Sequence, residues 1–315
     1  MHLKSDFKYY LMLLFVVVSW GCDPIVNHYL YRSYSAAALS SLATLASALT
    51  FLFLSRKKLH RLKEKRYLTV ALPICLVNSL ACVLQRIGLQ YTSPAHYAFL
   101  EHLSCVAVPL ILFFIFRKKP TAPQILACFI CLVGCLLLAS GGGIELSLNV
   151  GDALCAAAGI LLGLGIVCTS LFTQGMDIML FMTLHMCTYF LTSATLAGAL
   201  HFIRVDGAPM ERFMFSFSPM TLIFAILFGL FSVGICWLLR NEANRRLPPT
   251  AVAVIAPFAA VITALISVLQ GIERATPSFI LACILILAAA VFSGLGEAKE
   301  NEKAKNDTKK QQKNP

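Results

Sequence analysis

Polar clusters break this chain into long apolar stretches. Ten stand out, at 9–30, 34–54, 67–90, 93–116, 122–140, 152–173, 178–203, 219–239, 249–270 and 277–295. Each is about the length of a membrane-crossing helix, ~20 apolar residues. A strand of a membrane barrel would be shorter, about 10 residues, and would alternate in polarity. These runs are continuous, so helices are predicted. The segments between them are too short for an added soluble domain.

Composition agrees with the pattern. Of 315 residues, 58% are hydrophobic and 13% charged, with a mean hydropathy of +0.78. Soluble domains carry about 45–50% apolar and about 25% charged residues. A water-soluble enzyme is excluded, and so is a disordered chain, which needs low hydrophobicity. The formal charge of +11 invites a nucleic-acid reading, but position decides against it. With the N-terminus inside, 21 of the 26 Lys and Arg residues fall on one side, among them seven in 56–66 and six after residue 296. The other five are Arg32, Arg86, Arg204, Arg212 and Arg274. That is the positive-inside asymmetry. It predicts a multi-pass protein of the plasma or inner membrane, with both termini cytoplasmic and the 141–151 connection outside. The first run has no small-residue cleavage site, so it reads as a retained span. The polar tail 297–315 lacks apolar periodicity and reads as disordered and cytoplasmic.

Twelve cysteines lie within or at the edges of the apolar runs. Cys128, Cys131 and Cys135 share a helix face, but no His or carboxylate joins them, and Cys is a common small apolar filler. No metal site, disulfide framework or cofactor is predicted. No phosphate-binding loop of the Walker type occurs.

The chain repeats itself. Thr121-Ala-Pro-Gln-Ile-Leu-Ala-Cys128 matches Thr276-Pro-Ser-Phe-Ile-Leu-Ala-Cys283 without gaps, which fixes an offset of 155. That offset pairs Pro94 with Pro249, Gly141 with Gly296, Glu101 with Ala256 and His102 with Pro257. Trp20-Gly21 has a weaker echo in Leu162-Gly163 at another offset. Spans one to five therefore correspond to spans six to ten, as domains 9–140 and 152–295. Five is odd, so the halves face opposite ways across the bilayer. The predicted class is an all-α integral membrane protein, ten transmembrane helices arranged as two inverted five-helix repeats. Inverted repeats are a transporter architecture, with the site between the halves near the midplane.

Ionisable groups inside a bilayer are costly and persist when paired, hydrated or useful. Trp20, Asp23 and Asn27 share a face of span one, and Asn78 and Gln85 share one in span three, with Arg86 adjoining. Tyr97 and Glu101 do so in span four. These eight are the candidate substrate-binding residues. Asp23, Arg86 and Glu101 can equally form a buried salt bridge. Their charges leave one carboxylate without a full partner, and Glu101 is the candidate for that surplus group. His28, His96 and His102 read as hydrogen-bonding residues, with proton carriage as the alternative. His185 and Tyr189 read as peripheral packing. At the 155 offset Arg240 aligns with Gln85 and Asn241 with Arg86; Arg240-Asn241-Glu242 reads as an anchor at the cytoplasmic face, with a cytoplasmic gate as the alternative.

These motifs resemble the ten-span EamA-type transporters of the drug/metabolite transporter superfamily. The resemblance rests on Trp20-Gly21, Gly88-Leu-Gln-Tyr-Thr-Ser-Pro-Ala95, Gly151-Asp152, Arg246-Leu-Pro-Pro-Thr-Ala251 and Ala256-Pro257, and it covers residues 9–296. It implies a permease that moves amino acids or other small metabolites by alternating access through a central cavity. The family's Glu-Pro in span nine is Ala256-Pro257 here, whereas Glu101 keeps a glutamate in the first repeat. The implied partners are a small-molecule substrate and the lipid bilayer. Proton coupling, passive exchange and a homodimer are all compatible with the sequence. The alternatives are an integral-membrane enzyme, for which the chain offers no extended polar face, and a membrane sensor or scaffold, for which it offers no sensor domain.

Overall fold

The computed structural model describes residues 3–92, 97, 100–117, 121–140, 149–205, 207–269, 276–289 and 291–292. The tail 297–315, Pro94, His96, most of the 141–151 connection and the Gly141–Gly296 pair lie outside them, as do the side chains of Pro24 and His28. Among the described residues, seven helices are long and apolar enough to cross a membrane. They are Phe7–Asn27, Ala36–Ser55, Tyr67–Gly88, Val150–Phe172, Ile178–Phe202, Pro219–Asn244 and Pro249–Ile266. Three shorter apolar helices, Ser104–Phe114, Ala122–Leu137 and Pro277–Ala289, fill the remaining runs. They are spans one to ten in chain order, and the chain is an all-α membrane protein.

Local signals set several helix starts. Asn149 caps span six by accepting from Asp152 N–H, and Asp152 accepts in return from Asn149 N–H, a reciprocal capping box. Asp177 caps span seven by accepting from Met179 N–H at 2.9 Å. Pro219 and Pro249 stand in the first turns of spans eight and nine, where a missing N–H costs nothing. Leu49, Phe53, Leu54, Phe129, Leu191 and Ile284 remain exposed; in a bilayer such residues meet lipid.

The packing is closed under exchange of the two halves. Span three packs on span six, and its counterpart, span eight, packs on span one. Span four packs on span six and span nine on span one. Span two packs on spans seven and eight, and span seven on spans two and three. The register of the repeat survives at atomic level. A Cβ on Gly21 would fall 2.6 Å from Ile262 Cβ, and one on Gly163 would fall 2.9 Å from Ala107 Cβ. Ala107 and Ile262 are mates at the 155 offset. Small residues at these two crossings let the helices approach closely.

Spans four and nine are both interrupted, and at matched positions. In span four, Cys105 N–H donates to His102 C=O at 2.9 Å, and in span nine Ala260 N–H donates to Pro257 C=O at 3.0 Å. Proline removes a donor and clashes with the preceding turn, which accounts for the break at Pro257. His102 holds the same broken turn in the first repeat without a proline.

Loops close both ends. At one end, Lys58 pairs with Asp177 at 2.7 Å. Arg66 donates to Gln174 C=O at 2.5 Å, and Arg245 donates to Met176 C=O at 2.5 Å. At the other end, Tyr34 donates to Ser216 C=O at 2.8 Å and Tyr91 to Met210 C=O at 2.6 Å. A two-stranded hairpin, Arg204–Val205 with Ala208–Pro209, sits there. Even- and odd-numbered connections thus separate to opposite ends, as spans of alternating direction require.

Candidate functional site

The site is built around a widened turn in span eight. Gly229–Ile235 is π-helical, a local insertion frequent at functional positions. Glycine is needed at its start, since a Cβ on Gly229 would fall 2.5 Å from the Ala43 carbonyl oxygen. Ser47 holds the segment by donating to Gly229 C=O at 2.7 Å. Ser232, inside the segment, faces span one. Its carbonyl accepts from Trp20 Nε1 at 3.1 Å, and its hydroxyl donates to Asp23 Oδ2 at 2.5 Å.

Next to this contact the Trp20 and Trp237 rings lie 5.6 Å apart. The Arg240 guanidinium stands 4.6 Å from the Trp237 ring and 5.7 Å from the Trp20 ring. Arg240 is only 6% exposed. A desolvated guanidinium over an indole face is a strong form of the cation–π contact, of order 2 kcal/mol. The His185 ring meets Trp237 edge-on at 4.7 Å.

Arg86 donates from Nε to Tyr189 Oη at 3.2 Å and lies 5.8 Å from the Phe228 ring. The Tyr31 hydroxyl senses the same arginine, and Arg86 Nη1 is buried without a partner. Gln85 Nε2 donates to Tyr97 Oη at 2.8 Å. Glu101 lies within hydrogen-bonding reach of both Gln85 and Tyr97.

Six of the sequence-predicted residues therefore come together in one cluster: Trp20, Asp23, Gln85, Arg86, Tyr97 and Glu101. Asn78 lies farther along span three, pressed into the notch left by Gly165, with both amide atoms unpartnered. Asn27 lies one turn beyond Asp23, its Oδ1 also buried and unpartnered. Three expectations change. Arg240 is no interfacial anchor, because the two indoles hold it inside. His185 and Tyr189 are not peripheral, being wholly buried against Trp237 and Arg86. The carboxylate surplus disappears, since Arg240 gives the cluster two guanidinia for its two carboxylates. Among the described residues no ion pair joins these four groups, so the expected salt bridge is not formed. Asp23 feels Arg86, and Glu101 feels Arg240, without contact.

The 155 offset aligns Arg240 with Gln85, and that alignment, rather than the basic end nearby, is the signal that fits its inward position. Ser232 and Tyr31 carried no sequence signal, one being a small hydroxyl in an apolar run and the other standing at a span's edge. Cys105, Cys128, Cys131 and Cys135 pack together with Val254, Val261, Ile286 and Ala289. Among the described residues no cluster of His, Cys, Asp or Glu is arranged to hold a metal ion.

Comparison with known proteins gives the family. Among curated proteins no sequence matches the chain significantly. A solved structure described as "Crystal structure of protein" is similar in fold, with a TM-score of 0.71 at 14% identity, over 91% of this chain and 96% of that one. The model of the EamA-like transporter family matches twice, over residues 7–140 and 149–295, the two halves that the 155 offset and the exchange-symmetric packing define. The chain belongs to the EamA-like transporter family.

Proposed function

We propose that the protein is a secondary transporter of a small polar or amphipathic metabolite, an amino acid or related compound, rather than a membrane enzyme or sensor. The observation that carries this reading is the charge-balanced cluster of Asp23, Glu101, Arg86 and Arg240, which in this reading lines a chamber between the two halves. Separated opposite charges suit a solute bearing both signs, and the Trp20–Trp237 pair suits an apolar body. The matched breaks in spans four and nine free backbone groups beside that chamber, as discontinuous helices do in other transporters.

The mechanism is alternating access. The halves rock about the chamber, and the loop cluster at each end acts as a gate. The Lys58–Asp177 end is the cytoplasmic one, following the distribution of basic residues, and both termini lie there. Carboxylates inside the chamber can carry a proton with the substrate, and passive exchange uses the same path.

Uptake of a panel of labelled metabolites into proteoliposomes tests the function. Saturable uptake, lost on Glu101→Gln, is expected; a panel without uptake would count against it. Orientation is tested with single cysteines at 59, 207 and 305 in a cysteine-free background. An impermeant thiol reagent applied to intact cells should label 207 alone. Labelling at 59 or 305 from outside would overturn the orientation.

A further inference from the structure

Glu211 stands outside the chamber and has no role in the reading above. It lies in the connection between spans seven and eight, at the end opposite Lys58–Asp177. The backbone around it is fixed. Met210 N–H donates to Ile203 C=O at 2.7 Å, and Met210 C=O accepts from Tyr91 Oη at 2.6 Å. The Glu211 carbonyl meets His201 Nδ1 at 3.0 Å. Ser35 N–H donates to Met214 C=O at 2.9 Å and Tyr34 Oη to Ser216 C=O at 2.8 Å. The segment is a folded cover tied to spans one, three and seven.

From that cover the Glu211 side chain turns inward. It is 0% exposed, and neither carboxylate oxygen has a hydrogen-bond partner. Arg212, its neighbour in sequence, is exposed. Tyr31 and Tyr91 both sense the carboxylate, and Tyr91 is held beside it by its hydrogen bond to Met210 C=O. Tyr31 also senses Arg86 and Asp23, so it links Glu211 electrostatically to the central cluster.

Burying a carboxylate with no partner is strongly unfavourable. A folded cover has no structural use for such a group, because an apolar residue there would be more stable. The carboxylate fits a role in which its partner arrives from outside. Two acceptor oxygens call for a cation, and aromatic residues close by suit an organic ammonium.

We propose that Glu211, with Tyr31 and Tyr91, forms an outer subsite that takes the ammonium group of the transported solute at the far mouth of the chamber. The proposal rests on the transport reading for the solute's onward path, but binding at the subsite is measurable without it.

The test uses the full chain in lipid nanodiscs, with phenethylammonium as probe and 2-phenylethanol as its uncharged counterpart. Binding is followed by indole fluorescence and by the shift in melting temperature. The wild-type protein should bind phenethylammonium saturably and the alcohol at least tenfold more weakly. Glu211→Gln should lose at least tenfold in affinity for the ammonium, with an equal or higher melting temperature in the absence of probe. Glu211→Asp, which keeps the charge on a shorter arm, should lose several-fold and serves if the glutamine variant does not fold. Glu64→Gln, on the exposed opposite end, should bind as wild type does. Unchanged affinity in Glu211→Gln or Glu211→Asp overturns the proposal. So does a lowered melting temperature with unchanged affinity, which marks a structural tie. A saturable, Glu211-dependent shift with sodium chloride alone overturns it in favour of an inorganic cation. Glu211-dependent binding without uptake into proteoliposomes would sink transport of the probe and leave the subsite. Uptake without Glu211-dependent binding would do the reverse.

Discussion

Charge balance in the chamber makes a quantitative prediction about Glu101 and Arg240. Arg240 is buried and Glu101 half-buried, each feels the other, and neither has a direct ionic partner among the described residues. Glu101→Gln keeps the shape and the hydrogen-bonding reach to Gln85 and Tyr97, but leaves the chamber with one uncompensated positive charge. Arg240→Gln leaves one negative charge, and it copies Gln85, the mate of Arg240 in the other repeat. Breaking a buried pair strands a desolvated charge at a cost of about 3–5 kcal/mol. Here the pair is separated, and Arg240 keeps its indole contacts, so the lower end of that range applies to Glu101→Gln. Arg240→Gln also forfeits those contacts, a further ~2 kcal/mol. The double variant is neutral again, and should fall short of the sum of the singles by about 1–3 kcal/mol. Melting temperature in detergent reads the stabilities, and metabolite uptake reads function in the same samples. Transport should be lost in all three proteins, because neutrality returns while the binding charges do not. Strict additivity of the two single changes would refute the electrostatic coupling, and full uptake by Glu101→Gln would refute a binding role for the carboxylate.

Other predictions follow from the packing and the ends. Trp20→Phe keeps an aromatic ring but strands the Ser232 carbonyl, so it should cost about 1–3 kcal/mol and weaken uptake, measured by melting and by liposome assays. Gly163→Val should cost about 1–3 kcal/mol by overpacking against Ala107, and Ala107→Gly in the same chain should recover part of it. Asp177 is held below the ordinary carboxylate range chiefly by the hydrogen bond from Lys58, with Met179 N–H adding to it. A lowered value means its contribution is present above the usual carboxylate pKa and is lost as pH falls through the folded one. Asp177→Asn keeps the capping oxygen but loses the ion pair and the negative charge at the helix start, so it should lower the melting temperature at neutral pH by the equivalent of roughly 1 kcal/mol, and the difference should vanish in acid.

Much of this was legible in the sequence because a bilayer imposes simple rules. Continuous apolar runs had to be helices, and the single 155 offset set the relation between halves that Ala107 and Ile262 now display in contact. The stripe logic placed Trp20 with Asp23 and Tyr97 with Glu101 correctly, since residues three or four apart share a helix face. It failed where a face is defined by the partner helix instead. Span seven carries hydroxyls on more than one face, with Thr183, Thr188 and Ser193 buried and Thr195 exposed, so nothing singled out the side of His185 and Tyr189. Arg240 stands within a turn or two of Arg245 and Arg246, and proximity to that basic end concealed an inward-turned side chain. The π-helical turn at Gly229–Ile235 depends on a fit against Ala43 and Ser47 in span two, a long-range contact with no local signature. Glu211 sits in a connection that hydropathy treats as mere linker.

The two closures differ in the kind of bond they use, and that difference carries a consequence for the working cycle. One end is held by a lysine–carboxylate pair and by guanidinium groups on carbonyls, the other by neutral phenols on carbonyls. Dissolved salt screens exposed charges over about 8 Å at physiological ionic strength and leaves neutral hydrogen bonds nearly untouched. Raising the electrolyte concentration on the Lys58 side should therefore loosen that closure selectively and shift the resting population toward the state open there. On the alternating-access reading proposed above, the two ends differ in sensitivity to their medium, and the direction in which the protein rests would follow the solution on one face of the membrane.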